Sequence, residues 1–342
     1  MKAARLHDYA EGKLRLDEVP TPTVSGPHDV VVKVGGAGVC RTDLHVIEQV
    51  WRETLNPELP YTIGHENAGW VAEVGPAVST VGVGDPVILH PLVTCGVCPG
   101  CRRGEDMYCG NSAFPGLNAD GGYAEYVKTN ERALVPLAEG LAPHEVAPFA
   151  DAGITAYRAV KKAAKLLTPG TRCVVVGAGG LGHIAVQCLK ALCATEVVVV
   201  DTSPEALKLA GDIGADRLID AAEDPVAAVR ALNDDVGVEA VIDFVGEHGT
   251  TDQGPAMLAQ GGTYYVVGYG GRVDLAALQV IFSEINVVGN LVGNYTELAE
   301  LMALAAAGKV HLHTQTYSLD QANEALDDLA AGRVRGRAVL VP

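Results

Sequence analysis

VVVGAGGLG, residues 174–182, is an apolar run that stops on glycines at 177, 179 and 182. Its β-branched residues predict a strand, and LGHIAVQCLKALC after it has the spacing of a helix. A G-x-G-x-x-G turn between strand and helix suits a dinucleotide. Gly177 permits the tight turn, Gly179 lets the backbone approach a pyrophosphate, and Gly182 lets helix and strand pack closely. Gly180 and Leu181 complete the turn at the helix N-terminus, where the phosphates would sit. With forty glycines in the chain the motif alone is weak, but its setting strengthens it. TEVVVVD follows as a second strand and ends at Asp201, nineteen residues after Gly182. A carboxylate there accepts hydrogen bonds from adenosine ribose hydroxyls and repels a 2′-phosphate. Thr202 and Ser203 bring no arginine, so the expected cofactor is NAD rather than NADP.

Outward from this turn the alternation continues. SPEALKLAGDIGA reads as a helix with Ser203 as N-cap and Pro204 in its first turn. RLID, PVAAVRALND, EAVIDFVG and TYYVVGYG extend the series of strands and helices. Such alternation predicts a doubly wound parallel sheet. Before residue 150 the pattern differs: DVVVKVGGAGV, AGWVAEVG, GDPVILHP and GGYAEYVKT are short β-like runs broken by Gly and Pro, expected in an irregular strand-rich domain. HTQTYSL and RAVLVP, near the end, are expected to return as strands to that first domain.

Length and charge bound the function. The 342 residues suffice for two domains. The net charge of −17 repels phosphate backbones and anionic lipid, so neither nucleic acid nor membrane is expected as a partner. There is no apolar stretch of about 18 residues. MKAARLHDYAEGKLRL has no apolar segment typical of a secretory leader, which makes a reducing cytoplasmic setting the expectation.

TCGVCPGCRRGEDMYCG, residues 94–110, holds four of the eight cysteines: Cys95, Cys98, Cys101 and Cys109. They either pair as disulfides or converge on a metal, and a reducing setting weakens the first reading. GVCRTDLH contributes Cys40, Thr42, Asp43 and His45; GHENAG contributes His65 and Glu66; PFADAGITAYRAV contributes Asp151. Cysteine, histidine and carboxylate are zinc ligands, and three of them plus water make a catalytic site. Their separation in sequence leaves convergence open.

Taken together, GVCRTD, GHE-x-AG, the four-cysteine loop, GGYAEY, D-AGITAYRA, GAGGLG and GRAVLVP resemble the zinc-dependent medium-chain alcohol dehydrogenases along essentially the whole chain. The resemblance implies an α/β protein with a GroES-like β-rich catalytic domain over residues 1–152 and 293–342 and a Rossmann NAD-binding domain over 153–292. The active site would lie in the cleft between them. Two zinc ions per chain are implied. Cys95, Cys98, Cys101 and Cys109 match the structural zinc lobe, about residues 93–112, and their C-x2-C-x2-C-x7-C spacing itself argues for metal; an iron–sulfur cluster is disfavoured by the surrounding fold. Cys40, His65 and Asp151 match the catalytic zinc ligands. Many relatives carry cysteine where Asp151 stands, so the expectation is a more electrophilic and more exchangeable zinc here.

The resemblance also assigns roles around the metal. Glu66 matches a glutamate that approaches it transiently, with a salt bridge to Arg337 as the alternative. Asp43 matches the carboxylate that orients His65, with a helix-start aspartate as the alternative. Thr42 would accept a hydrogen bond from the alcohol, and the proton would leave through the nicotinamide ribose and His45. Arg41 and Arg337 match pyrophosphate contacts. Thr155 stands beside the nicotinamide, and Val245, Val267 and Leu291 lie in segments that hold it. Trp51, His90, Leu92 and Tyr295 are expected to line the substrate cleft.

The implied reaction is reversible hydride transfer between a primary or secondary alcohol and NAD, giving an aldehyde or ketone. A polyol, threonine or other hydroxy-compound dehydrogenase is the alternative within the fold. A catalytically silent NAD- and zinc-binding scaffold is the alternative outside it. LNADGGYAEY and VGNLVGN resemble tetrameric bacterial and archaeal members, which implies a homotetramer, with a homodimer as the alternative. His311 and His313 are expected at a solvated edge, His183 at a helix start, and Cys173, Cys188 and Cys193 in the core.

Overall fold

The β-branched and apolar runs form strands where alternation predicts them. A computed structural model describes residues 1–50 and 57–342; Trp51 lies outside the described residues. In chain order the strands are β1 (Lys2–Leu6), β2 (Leu14–Glu18), β3 (Asp29–Val39), β4 (Tyr61–Thr62), β5 (Glu66–Val74), β6 (Pro86–Leu89), β7 (Tyr126–Asn130) and β8 (Leu134–Pro136). There follow β9 (Arg172–Val176), β10 (Glu196–Asp201), β11 (Arg217–Asp220), β12 (Val238–Asp243), β13 (Leu258–Val266) and β14 (Asn286–Gly289). β15 (Thr314–Ser318) and β16 (Arg337–Val341) close the series. The chain divides into two units: Met1–Ile154, Gly293–Ala306 and Leu312–Pro342 form one, Thr155–Val292 and Ala307–His311 the other.

The first unit is built on a mixed sheet in the order β15-β16-β3-β5-β6-β8, with β7 also paired to β3, and a smaller sheet β2-β1-β4. β3 is the long central strand, and its valines pack with Ile63, Tyr123 and Leu340 into one core. HTQTYSL and RAVLVP supply β15 and β16 of this sheet. Only the second half of GGYAEYVKT is strand. Gly121 and Gly122 lie outside it, their N–H groups bonded to the Thr62 and Gly64 carbonyls and their backbone close to Asn67: a Cβ at Gly122 would stand 1.7 Å from Asn67 Oδ1.

The second unit has the strand order β11-β10-β9-β12-β13-β14, every pair parallel. This order reverses direction beside β9, the strand that carries VVVG. Open α/β sheets bind ligands at the carboxyl end of such a switch point. Val174, Val176, Val198, Val200 and Val241 are all buried, as expected of a parallel sheet covered on both faces. The helix predicted after Ser203 is Pro204–Asp212, and Ser203 Oγ accepts the Ala206 N–H at 3.2 Å.

Candidate metal centres and dinucleotide site

The thiols of the 94–110 loop converge. A helical turn at Pro99–Arg102 and a 3-10 turn at Asp106–Tyr108 fold the loop back on itself. The four sulfurs all lie within 4.8 Å of one another. Neighbouring pairs are separated by 3.5 Å (Cys98–Cys101), 3.6 Å (Cys95–Cys109) and 4.0 Å (Cys95–Cys101). A disulfide needs about 2.05 Å, and all four cysteines are free. A tetrahedron with Zn–S bonds of about 2.3 Å has edges of about 3.8 Å, which these separations bracket. Backbone N–H groups of Val97 and Cys98 face the Cys95 sulfur and draw its pKa down to about 6, and the Cys101 N–H lowers Cys98. Burial pushes Cys101 up to about 11. Thiolate, the ligating form, is thus favoured at two of the four corners.

A second cluster gathers residues from three distant segments. Cys40 follows β3 and caps the helix Arg41–Ile47; His65 immediately precedes β5; Asp151 stands at the junction of a 3-10 turn and the helix Ala152–Ala163. One ligand atom from each of Cys40, His65, Glu66 and Asp151 lies within 4.8 Å of the others. His65 is fully buried, and its Nδ1 is 3.1 Å from Asp43 Oδ1. A carboxylate accepts, so Nδ1 donates to Asp43 and Nε2 faces the cluster. Asp151 Oδ2 stands 3.4 Å from Nε2, and this buried nitrogen has no hydrogen-bond partner. A cation between these atoms would be its partner. Burial disfavours charge on His65, but Asp43 and the neighbouring Asp151 and Cys40 outweigh it and hold its pKa well above the ordinary imidazole value. A divalent cation among these groups would take the place of that proton.

Glu66 meets Arg337 in a buried ion pair, and its other oxygen accepts the Ala152 N–H at 3.0 Å. The strand order explains the pairing. β5 and β16 flank β3, and the two side chains reach across Gly38, where a Cβ would stand 2.0 Å from Glu66 Oε2. Burial raises the Glu66 pKa despite the opposing pull of Arg337, while Arg337 is held more firmly protonated by the Glu66 charge against its own burial. Glu66 thus lies among the candidate ligand atoms and also bridges to Arg337. Asp43 likewise has both of its expected places. It bonds His65 and, from the third helical position, accepts the Cys40 N–H at 2.9 Å. On that helix Arg41 is exposed, and Thr42 and His45 are half-buried three residues apart, on one face.

In the second unit the glycine turn has three distinct geometries. Gly177 adopts φ +84°. A Cβ on Gly182 would stand 1.8 Å from the Gly177 carbonyl oxygen, whereas one on Gly179 would meet nothing within 4 Å. The turn is therefore closed at its base and open at its tip, beside Gly180, Leu181 and the N-terminus of the helix Gly182–Leu192. Asp201 accepts from the Ala178 N–H at 2.6 Å and the Ser203 N–H at 2.8 Å, so it also braces the turn. The Thr155 carbonyl accepts from Asn290 Nδ2 at 3.1 Å; Val245 and Val267 follow the ends of β12 and β13; Leu291 is largely exposed.

Two buried residues escaped the sequence reading. Asp243 ends β12 and accepts the N–H groups of Val245 and Gly246 at 2.8 and 2.9 Å. Tyr123, within GGYAEY, donates to Asp43 Oδ2 at 2.8 Å. An acidic residue closing an apolar strand ahead of a glycine was the available signal for the first. Of the residues expected at a substrate cleft, His90 is buried with its ring nitrogens 3.1 and 3.0 Å from the Leu92 and Gly293 carbonyl oxygens. Leu92 is buried, and the Tyr295 hydroxyl donates to the Leu134 carbonyl at 3.0 Å. His183 follows the glycine turn as expected, but fully buried. The His311 and His313 rings do not share a strand edge, since both precede β15. Cys173 and Cys188 are core thiols whose pKa burial pushes up.

Comparison with known proteins agrees with this geometry. The family model described as alcohol dehydrogenase GroES-like domain matches residues 26–139, and that described as zinc-binding dehydrogenase matches residues 180–307. An NAD-dependent alcohol dehydrogenase of Saccharolobus solfataricus is 40% identical over the full length of both chains. The crystal structure of the alcohol dehydrogenase from Aeropyrum pernix superposes with a TM-score of 0.96, at 50% identity and complete coverage of both chains. That of the D-arabinose dehydrogenase from Sulfolobus solfataricus gives 0.85 at 32% identity, covering 100% of this chain and 99% of the other.

Proposed function

The chain belongs to the zinc-dependent medium-chain alcohol dehydrogenases, and from that premise we propose that it transfers hydride reversibly between a primary or secondary alcohol and NAD. The observation that carries this reading is the convergence of Cys40, His65, Glu66 and Asp151, with an unpartnered buried His65 Nε2 among them. Residues 1–152 and 293–342 act as the catalytic domain and residues 153–292 as the NAD-binding domain.

Cys40, His65 and Asp151 hold the catalytic zinc, and Cys95, Cys98, Cys101 and Cys109 hold the structural one. Bound zinc supplies Lewis acidity that brings an alcohol hydroxyl's pKa toward neutrality, and bound NAD supplies the hydride acceptor. Asp43 keeps His65 in the tautomer that ligates. Glu66 balances charge between the metal and Arg337, and Arg337 offers its remaining donors to the pyrophosphate beside Arg41. Thr42 accepts a hydrogen bond from the substrate hydroxyl, and His45, on the same helix face, returns the proton to solvent. Gly177, Gly179, Gly180, Leu181 and Gly182 receive the pyrophosphate. Asp201 binds the adenosine ribose, while Thr155, Val245, Val267 and Leu291 flank the nicotinamide.

Likeness to a D-arabinose dehydrogenase favours one second reading, a polyol or sugar substrate. We place the protein in the cytoplasm; among the described residues no helix is long and apolar enough to cross a membrane. We also propose a homotetramer. On the second unit β14 is an edge strand, and the nearby helix Ala277–Ser283 exposes Leu278, Ile281 and Phe282 by 65, 68 and 74%. An open edge beside bare apolar side chains suits a second copy of the chain.

The test is NADH formation by zinc-replete protein across linear, cyclic and aromatic alcohols, polyols, sugars and threonine, with NADP⁺ in parallel. Turnover of apolar alcohols that chelation abolishes is expected. Turnover confined to polyols or sugars establishes the second reading, and silence with zinc and NAD both bound leaves a substrate outside the panel or the silent scaffold.

A further inference from the structure

Tyr123 has no part in the roles assigned above, yet it is fully buried and bonded to Asp43. Its hydroxyl is 2.8 Å from Asp43 Oδ2 and 3.4 Å from the Gly38 carbonyl. A phenol has one proton to donate, and the shorter contact to a carboxylate takes it. Asp43, itself wholly buried, then receives three donors: Tyr123 O–H and Cys40 N–H on Oδ2, and His65 Nδ1–H on Oδ1. The carboxylate is saturated on the side away from His65 and holds a single bond on the side facing it.

The ring of Tyr123 is fixed as firmly as its hydroxyl. Its N–H bonds the Ile63 carbonyl at 3.0 Å, and the Gly122 N–H bonds the Gly64 carbonyl at 2.8 Å. Gly64, at φ +98°, lies directly against the ring, where a Cβ would approach Cδ1 to 2.2 Å. The residue after Gly64 is His65. One tyrosine therefore touches both the backbone that carries the histidine and the carboxylate that orients it.

We propose that Tyr123 is a positioning residue for the catalytic metal. Its hydroxyl fixes the plane of the Asp43 carboxylate so that Oδ1 faces His65 Nδ1. This inference rests on the reading of His65 as a zinc ligand.

Tyr123→Phe separates the two contacts, because it keeps the ring against Gly64 and removes only the hydroxyl. The measurement is made on full-length protein loaded with cobalt at both sites, following the visible d–d bands and the release of each metal to a chelator. Metal at the Cys40–His65–Asp151 site is expected to leave about tenfold faster in the variant, the lower end of what loss of an outer-sphere partner does. Its d–d bands are expected to shift, while release from the four-cysteine lobe stays unchanged. Unchanged bands and release at the catalytic site overturn the inference, whatever happens to thermal stability, since packing alone would leave both in place. Asp43→Asn and Asp43→Asn/Tyr123→Phe provide the second arm. If the hydroxyl acts through Asp43, the double variant releases metal no faster than Asp43→Asn; fully additive effects overturn the inference. Wild-type protein that takes cobalt only at the four-cysteine lobe overturns the site reading, and with it the role of Tyr123.

Discussion

Tyr264 donates its hydroxyl to Asp243 Oδ2 at 2.6 Å, while Oδ1 of the same buried carboxylate gathers the Val245 and Gly246 N–H groups. The carboxylate thus acts as a template for the turn after β12, where Gly246 adopts φ +66° against the backbone of Gly268. Tyr264→Phe leaves one buried acceptor without its donor, at a cost of about 1–3 kcal/mol. Urea unfolding should register that loss, and calorimetric titration with NADH should show weaker binding, since Val245 belongs to this turn. Full affinity in a destabilised variant would separate the turn from cofactor binding.

The glycine turn predicts opposite outcomes for two neighbouring alanines. Gly182→Ala drives a methyl group onto the Gly177 carbonyl oxygen, 1.8 Å away, and should cost about 4 kcal/mol or more, with loss of soluble folded protein. Gly179→Ala places its methyl in open space and should change stability by less than about 1 kcal/mol. It should nonetheless weaken NADH binding about tenfold or more, because the methyl occupies the approach of the pyrophosphate. Thermal melts with and without NADH check both.

The two metal clusters should respond independently to mutation. Asp151→Asn removes a charged ligand and should lower zinc from two equivalents per chain to one, abolish turnover and leave the melting temperature within a few degrees. Cys98→Ser should also cost one equivalent, but with a lower melting temperature, because metal binding in a lobe with little apolar core is itself folding energy. Asp151→Cys should keep both equivalents and slow chelation at the catalytic site, as a softer thiolate replaces a carboxylate. Atomic emission of desalted protein, with melting curves, decides each case.

Glu66 and Arg337 are worth more as a pair than apart. Arg337→Leu strands a buried carboxylate and should destabilise the fold by about 3–5 kcal/mol. Glu66→Leu/Arg337→Leu should recover most of that loss in urea unfolding, whatever it does to turnover. A double variant no more stable than the single one would show that the guanidinium serves chiefly another partner.

Acid stability should trace to Glu131. N–H groups of Ser79 and Thr80, with His28 and the Thr80 hydroxyl, hold its pKa down to about 2. A carboxylate depressed in the folded state stabilises fully above its unfolded value of about 4.3 and loses that contribution as pH falls toward the folded value. Glu131→Gln should therefore lie about 1–2 kcal/mol below the parent at neutral pH. The gap should narrow steadily below about pH 4.3. A gap that is constant through that range would assign the loss to geometry instead of charge.

What the sequence disclosed depended on how local each feature is. The glycine turn, Asp201 and the four-cysteine loop each lie within a few tens of residues, so spacing constrained their chemistry. Cys40, His65 and Asp151 meet only because β3, β5 and the 147–150 turn are neighbours in space, a relation that spacing does not carry. Family likeness supplied it. Tyr123 and Asp243 were illegible for the same reason: both act through hydrogen bonds to residues more than one element away or on a turn whose shape was unknown. His90 lies with its two ring nitrogens against the Leu92 and Gly293 carbonyl oxygens, contacts that an imidazole in an apolar stretch does not disclose.

The aspartate at position 151 has a further effect, on vulnerability to oxidants. Cys40 is the single sulfur of its cluster, so no disulfide can close within the catalytic site. The lobe formed by Cys95, Cys98, Cys101 and Cys109 packs four sulfurs at separations that small movements would turn into bonds. Diamide acting on protein stripped of metal will therefore cross-link the lobe, and a thiol reductant followed by zinc will restore it.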